Sequence, residues 1–239
     1  MADTLNNLGV LYSDTQRLKE TQSYYEESLQ IRRELAKANP SAYLPEVADT
    51  LNNLGGLYGD MQRFKEAQSV YEEALQIRRD LTQSNPSVFQ ADLADTLFNL
   101  ADLRLAMGSL RDAEITYREA LTIYRHLEKL DIVVYHKNLA KTLVALARLH
   151  FGARDLREAQ IEIEEAIHLN RTLWQGNKLA FGDTLASSLL IYADILFSIL
   201  AQSPKGCSLV QESIDAANSI DLRHAAEKML EHCRVAGQD

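Results

Sequence analysis

The sequence predicts an all-α chain in which helix pairs stack one on the next, and three observations predict it. A block of residues recurs at a spacing of 46: Thr4-Leu5-Asn6-Asn7-Leu8-Gly9-Val10-Leu11-Tyr12, then Thr50-Leu51-Asn52-Asn53-Leu54-Gly55-Gly56-Leu57-Tyr58, then Thr96-Leu97-Phe98-Asn99-Leu100-Ala101-Asp102-Leu103-Arg104. Weaker copies follow at Thr142-Leu143-Val144-Ala145-Leu146-Ala147-Arg148-Leu149-His150 and at Ser188-Leu189-Leu190-Ile191-Tyr192-Ala193-Asp194-Ile195-Leu196. A second observation is apolar spacing in steps of three and four, the signature of a helix face. Val47, Leu51, Leu54, Leu57 and Tyr58 trace one stripe, and Phe64, Ala67, Tyr71, Ala74, Leu75, Arg78 and Leu81 trace another. The third is a set of small residues at fixed slots, Gly9, Gly55, Ala101, Ala147 and Ala193 on the first helix, with Ala67, Ala113 and Ala159, then Ala74, Ala120 and Ala166, on the second. Larger side chains there would overpack a close helix contact, at a cost of about 1–3 kcal/mol. A period of this length signals a repeat solenoid whose core lies between neighbouring repeats.

The repeats fall at about 2–40, 45–86, 90–130, 137–176 and 178–218, followed by a capping helix at 221–235, as one array over 1–239. Asn39-Pro40 and Asn85-Pro86 read as turns that end a repeat. Pro45 then suits a first helical position, with Glu46 beside it, so the first helix of the second repeat is expected over about 45–60. After a link at 61–63 comes the second helix. Ser109-Leu110-Arg111-Asp112 and Asp155-Leu156-Arg157-Glu158 resemble an N-cap with an acid three residues on. Arg17 and Arg63 hold that slot in the first two copies, where the caps are expected to be weaker. Asp131-Ile132-Val133-Val134-Tyr135 replaces the Asn-Pro turn and reads as an extended linker. Gly176-Asn177 supplies the next helix end, and Pro204-Lys205-Gly206 opens the last repeat's second helix one residue late. The stretch 185–200 is strongly apolar, but it is shorter than the ~20 residues that span a bilayer and carries Asp194. It reads as a core helix. At the other end Met1 falls inside a first helix that lacks a counterpart of Tyr43-Leu44-Pro45. That suggests an excised fragment, or a first repeat that stacks on another surface and permits self-association.

The small/large pattern resembles the tetratricopeptide repeat (TPR). Leu51, Leu54, Gly55, Tyr58, Ala67, Tyr71 and Ala74 match its motif at the family's spacing, with Leu where Trp is commonest. The resemblance implies a right-handed α-α superhelix of five helix pairs plus the capping helix, over about residues 2–217. The usual repeat is about 34 residues. Here Arg79 stands where the family's Pro ends the second helix, so that helix is expected to run on. Long repeats with the Leu-Asn-Asn-Leu core are similar to those of kinesin light chain and of bacterial arrays found beside signalling or effector domains.

Charge and composition narrow the function. The net charge of −9 argues against nucleic acid, whose binding rests on clustered Lys and Arg. Cys207 and Cys233 are too few for a disulfide framework and read as thiols of a reducing, cytoplasmic setting. Met1-Ala2-Asp3 runs straight into a repeat, without a signal-peptide pattern. No enzyme, metal or cofactor is expected. The histidines are scattered: His136 in the linker, His150 and His168 near helix ends, His224 and His232 on the last helix. His232 beside Cys233 does not aim both at one point. Glu26-Glu27, Glu72-Glu73 and Glu164-Glu165 recur with the period and read as a solvated face. Neither a phosphate loop nor a nucleophile-base set can be assembled.

In TPR arrays the first helices line a concave groove, and the resemblance carries that role to Asn6, Asn7, Asn52, Asn53, Asn99, Asp102, Lys141 and Arg148. Asn7, Asn53 and Asn99 form a ladder of amides, each able to donate and accept towards a peptide backbone. The same residues could instead brace neighbouring helices. A chaperone-tail clamp of Lys, Asn, Asn, Lys and Arg is absent from any three consecutive repeats. Asp3, Asp49, Asp95 and Asp102 make the first three repeats acidic, whereas Lys141 and Arg148 turn the fourth basic. The expected partner is therefore a protein or peptide segment with basic residues, bound in an extended form. The alternative is an architectural, oligomerising or regulatory array serving an effector or signalling domain elsewhere.

Overall fold

The structure, a computed structural model, describes residues 1–200 and 203–235, with backbone alone at 132, 133, 232, 234 and 235. Among the described residues there are eleven helices and no strand. They are α1 (Ala2–Asp14), α2 (Leu18–Ala38), α3 (Pro40–Asp60), α4 (Phe64–Ser84), α5 (Pro86–Ala106), α6 (Leu110–Glu128), α7 (Ile132–Gly152), α8 (Leu156–Gly176), α9 (Lys178–Ile199), α10 (Pro204–Ala216) and α11 (Ile220–Val235). Packing is sequential from α1 through α5 and again from α7 through α10, each helix against the next in chain order, and α11 lies on α10 with a lesser contact to α9. The fold is thus the all-α array of helix pairs, with a final single helix, that the sequence predicts. By contacts the chain forms two units, Met1–Ile123 and Tyr124–Asp239.

The small residues sit where large ones meet them. A Cβ added to Gly9 would lie 2.4 Å from the Tyr25 ring, and one added to Gly55 would lie 2.6 Å from the Tyr71 ring. Ala67, Ala74, Ala101, Ala113, Ala120, Ala147, Ala159, Ala166 and Ala193 are all fully buried. The four helix pairs from α1–α2 to α7–α8 are closed by the same turn. At α3 the Arg63 amide donates to the Tyr58 carbonyl (2.8 Å) and the Gln62 amide to Gly59 (2.9 Å), the Schellman arrangement that satisfies orphan carbonyls at a helix end. The residue between them takes a left-handed conformation: Gln16 (φ 60°), Gln62 (φ 58°), Gly108 (φ 78°) and Arg154 (φ 65°). Only the third copy supplies the residue that adopts it without steric cost.

Helix starts depart from the sequence reading in two places. Pro45 does not begin α3. Asn39 caps that helix, its side chain accepting from the Ala42 amide (3.4 Å), and Pro40 is the first helical residue, which leaves Pro45 inside. Pro86 likewise is the first residue of α5, where Asn85 makes no side-chain cap bond. Asn-Pro therefore starts a repeat rather than ending one, because a first-position Pro forfeits a donor that would be unsatisfied anyway. The second departure is 131–135. The β-branched run is not a linker but the first turn of α7, capped by Asp131, whose carboxylate accepts from the Val134 amide (3.2 Å). A good cap and tertiary packing outweigh the small helix penalty of β-branched residues. Three further slots fall as read: Asp155 accepts from the Glu158 amide (3.3 Å), whereas Arg17 and Arg63 make no side-chain cap bond.

The cysteines also differ from the sequence reading. Cys207 and Cys233 are bonded to one another, joining α10 to α11 with their Cα atoms 5.9 Å apart. They are not thiols, and the inference of a reducing compartment loses its support. Spacing alone did not reveal the pair because a late α10 and a doubling-back α11 create the proximity. Helix α9 is long and apolar enough to cross a membrane. Here its Leu185, Ala186, Leu189, Tyr192, Ala193 and Ile195 are buried, and it packs between α8 and α10.

Candidate docking face

In the first unit α1, α3 and α5 run side by side, and their amides tie them together. Asn53 Nδ2 donates to Asn6 Oδ1 (3.3 Å), and Asn99 Nδ2 donates to Asn52 Oδ1 (3.2 Å). Four of the sequence-predicted residues are thus brought together in two pairs, each bridging adjacent first helices. Asn7 is exposed on α1. Each pair uses one donor hydrogen of the donating amide and leaves hydrogen-bonding capacity on both side chains.

Asp102 is exposed on α5 and accepts from the Tyr117 hydroxyl. Burial, followed by that contact, holds the Tyr117 phenol well above its usual value. The remaining two candidates belong to the second unit. Lys141 and Arg148 are exposed on α7, and Arg148 Nη2 donates to Ser187 Oγ on α9 (3.4 Å).

The acidic lining read from the sequence needs correction. Arg32 and Arg78, each 6% exposed, reach from α2 and α4 to Asp3 and Asp49, both at 2.7 Å. Arg32 also donates to the Glu46 carbonyl (3.0 Å) and to Thr50 Oγ1 (2.6 Å), and Arg78 to the Asp92 carbonyl. Asp3 and Asp49 therefore neutralise buried guanidiniums rather than charge a groove. The signal was in the sequence, since an Arg recurs within the apolar stripe at positions 32 and 78.

Acid remains elsewhere on this face. A pocket of about 220 Å³ opens between α3, α4 and α5, lined by Gly55, Gly56, Gly59, Asp60, Phe64, Tyr71, Asn99, Asp102, Leu103 and Ala106. A larger hollow of about 390 Å³ lies between α10 and α11, and none of the sequence-predicted residues lines it.

The outer face carries a second periodic system that sequence reading missed. Arg33 pairs with Glu73 (2.5 Å), Arg79 with Glu119 (2.8 Å), Arg125 with Glu165 (2.6 Å) and Arg171 with Glu212 (2.6 Å). Each bridges successive second helices. Such half-exposed pairs contribute about 0–1 kcal/mol apiece, so they set register more than stability. The paired glutamates are partly a bracing ladder, not only a solvated face.

His150 Nδ1 lies 2.7 Å from Glu162 Oε2, both buried between α7 and α8, and His136 sits in α7, 2.9 Å from Glu128. Among the described residues no cluster of three or more His, Cys, Asp or Glu could hold a metal ion. The His232 side chain lies outside the described residues.

Stacked helix pairs, braced on both faces and hollowed beside an amide-lined helix, define a repeat scaffold of the kind that presents a surface. The tetratricopeptide repeat profile matches residues 1–80 and 46–126, more than half of the chain, and the protein belongs to that family. Arrays of this family generally mediate protein and peptide binding and are typically non-catalytic. The structure is similar to BtubC (BKLC) from P. vanneervenii, a kinesin light chain-like bacterial protein, at 20% identity and TM-score 0.66, covering 98% of this chain and 80% of that one. It is similar to the apo form of RapI at 15% identity and TM-score 0.66, over 99% and 83% of the two chains. With MamA it shares 13% identity at TM-score 0.53, over 83% and 91%. No curated protein sequence matches the chain significantly.

Proposed function

We propose that the chain is an interaction module whose α1–α3–α5 face takes an extended segment of a partner protein. The observation that carries this is the pocket of about 220 Å³ on that face, because two residues singled out from the sequence, Asn99 and Asp102, line it. Extended segments bind through backbone hydrogen bonds and a few side-chain pockets. The amides of Asn6, Asn7, Asn52, Asn53 and Asn99 offer the first and the pocket offers the second. Asp60 and Asp102 favour basic residues in the partner, and Lys141 and Arg148 would favour acidic ones on the second unit.

The test is selection of binders from a random dodecapeptide display library on the purified chain, followed by titration at rising salt. The reading expects enrichment of basic peptides whose affinity falls as salt screens the contact. Absence of any saturable peptide, or salt-independent binding of purely apolar ones, would overturn it. Self-association is the second reading, favoured by Val10 and Leu11 of α1, which are 42% and 58% exposed. A mass that stays monomeric across concentration would remove it.

A further inference from the structure

The second repeat differs from the third at one residue with a large local consequence. In the third, Asp102 of α5 accepts from Tyr117, so a buried phenol facing the neighbouring helix is satisfied within its own repeat. The second repeat has the same phenol, Tyr71, only 5% exposed, but the slot of Asp102 is Gly56. The Tyr71 hydroxyl has no hydrogen-bond partner among the described residues. A Cβ at Gly56 would stand 3.6 Å from that hydroxyl, and one at Gly59 would meet nothing within 4 Å, so the α3 wall is bare where a side chain would otherwise fill it. In the first repeat Val10 occupies this slot.

The hollow left behind is the pocket of about 220 Å³, with Tyr71, Asn99, Asp60 and Asp102 in its lining and no cationic side chain among them. Burial, and then the nearby Asp102 and Asp60 carboxylates, push the Tyr71 phenol above its usual value. Tyr71 lines the open pocket with its hydroxyl's bonding capacity unused by the protein, so a ligand that supplies a partner there gains a hydrogen bond. Two carboxylates at the rim choose its charge. An anionic acceptor would replace what Asp102 does for Tyr117, but it would enter against like charge. A cationic donor bonds the carboxylates and the phenol oxygen together.

We propose that this pocket is a specificity site for one basic side chain, the ammonium of a lysine or the guanidinium of an arginine, with Tyr71 as its floor and Asp60 and Asp102 as its rim. That the side chain belongs to a peptide rests on the docking reading above. The pocket chemistry does not, so the two fail separately.

The probe is N-acetyl-lysine N-methylamide, with the norleucine and glutamate compounds as neutral and acidic controls. Each is titrated into the full chain carrying tyrosine labelled with carbon-13 at Cζ, and Tyr71→Phe assigns the signal. The expected result is a saturable displacement of the Tyr71 resonance by the lysine compound alone. Asp60→Asn weakens it about two- to fivefold, as one partly exposed ion pair allows. Gly56→Val installs the first repeat's side chain, fills the hollow without adding charge, abolishes the response and leaves the thermal midpoint unchanged or raised, which separates a filled pocket from a failed fold. An equal response to norleucine, a lysine response that survives Gly56→Val, or no response to lysine overturns the proposal. Peptide selection without a fixed basic position would overturn this site and leave the docking face standing.

Discussion

In the first unit one position on the second helix of each repeat carries a buried arginine, Arg32 or Arg78, that clamps an aspartate and a backbone carbonyl of adjacent first helices. In the second unit the same position is Tyr124, then Asn170, which donates to Ser188 Oγ (2.9 Å). The Asn–Asn bridges of α1, α3 and α5 likewise stop there, the matching sites on α7 being Val144 and Ala145. What the second unit has instead is the Cys207–Cys233 disulfide across its last two helices. The backbone plan is shared while the fastening differs. A helix-pair array needs small residues in its close contacts, and it can be secured by ionic clamps, amide bridges or a covalent tie. The first of these regions lines up asparagine amides beside an open pocket.

That contrast can be broken at its strongest point first. Replacing both cysteines by serine removes a link that closes a loop of 26 residues, at a cost of about 3 kcal/mol in the chain-entropy account. Hydrogen exchange should show earlier opening of α10 and α11, with α3 and α4 unmoved. Equal acceleration in both units would mean that they share one fastening. Next comes Arg78→Ala, set beside Asn170→Ala. The arginine variant should lose about 2–3 kcal/mol by denaturant unfolding, short of the full cost of orphaning a buried charge because Asp49 is half exposed. The asparagine variant should lose about 1 kcal/mol, one hydrogen bond's share. Reversed magnitudes would undo the distinction.

Alkali sharpens it further. Burial, and then a hydrogen bond to Glu26, raise the Tyr58 phenol to about 12 from an ordinary 10.0. Since the folded value is the higher, its stabilisation is complete below pH 10 and is lost as pH climbs through about 12, on the order of 2 kcal/mol. Tyr58→Phe should flatten that part of the stability profile, and phenolate absorbance reports the titration directly. The smallest effect is at the turns. Gln62→Gly should stabilise by about 0.5–1 kcal/mol by relieving a left-handed non-glycine residue, whereas Gly108, already a glycine, leaves nothing to gain at the third turn.

Much of the fold was legible because periodicity and small residues constrain helix packing directly: Gly55 against Tyr71 is a contact that a repeat spacing can announce. Helix starts were less so. Pro45 satisfies the chemistry of a first position, and only the Asn39 cap reveals that Pro40 holds it. The run 131–135 has strand-like residues, yet one aspartate cap and its packing decide the outcome. Pairings between repeats, such as Asn6 with Asn53 or Arg33 with Glu73, depend on the offset between neighbouring helices, which a single repeat's pattern does not contain. The pocket follows from a difference between copies, Gly56 against Asp102. It was visible in the sequence as an irregularity, but its meaning required knowing where the Tyr71 hydroxyl ends.

The docking face itself is tested most directly by fluorescence anisotropy of a library-selected peptide, titrated with the native chain and with Asn53→Ala plus Asn99→Ala. Loss of two amides that serve the ligand should weaken binding about tenfold or more, at roughly 1 kcal/mol or above per hydrogen bond, while the helical content stays intact. Affinity unchanged within error would show that the amides only brace the helices, and the α1–α3–α5 face would lose its claim as the docking surface.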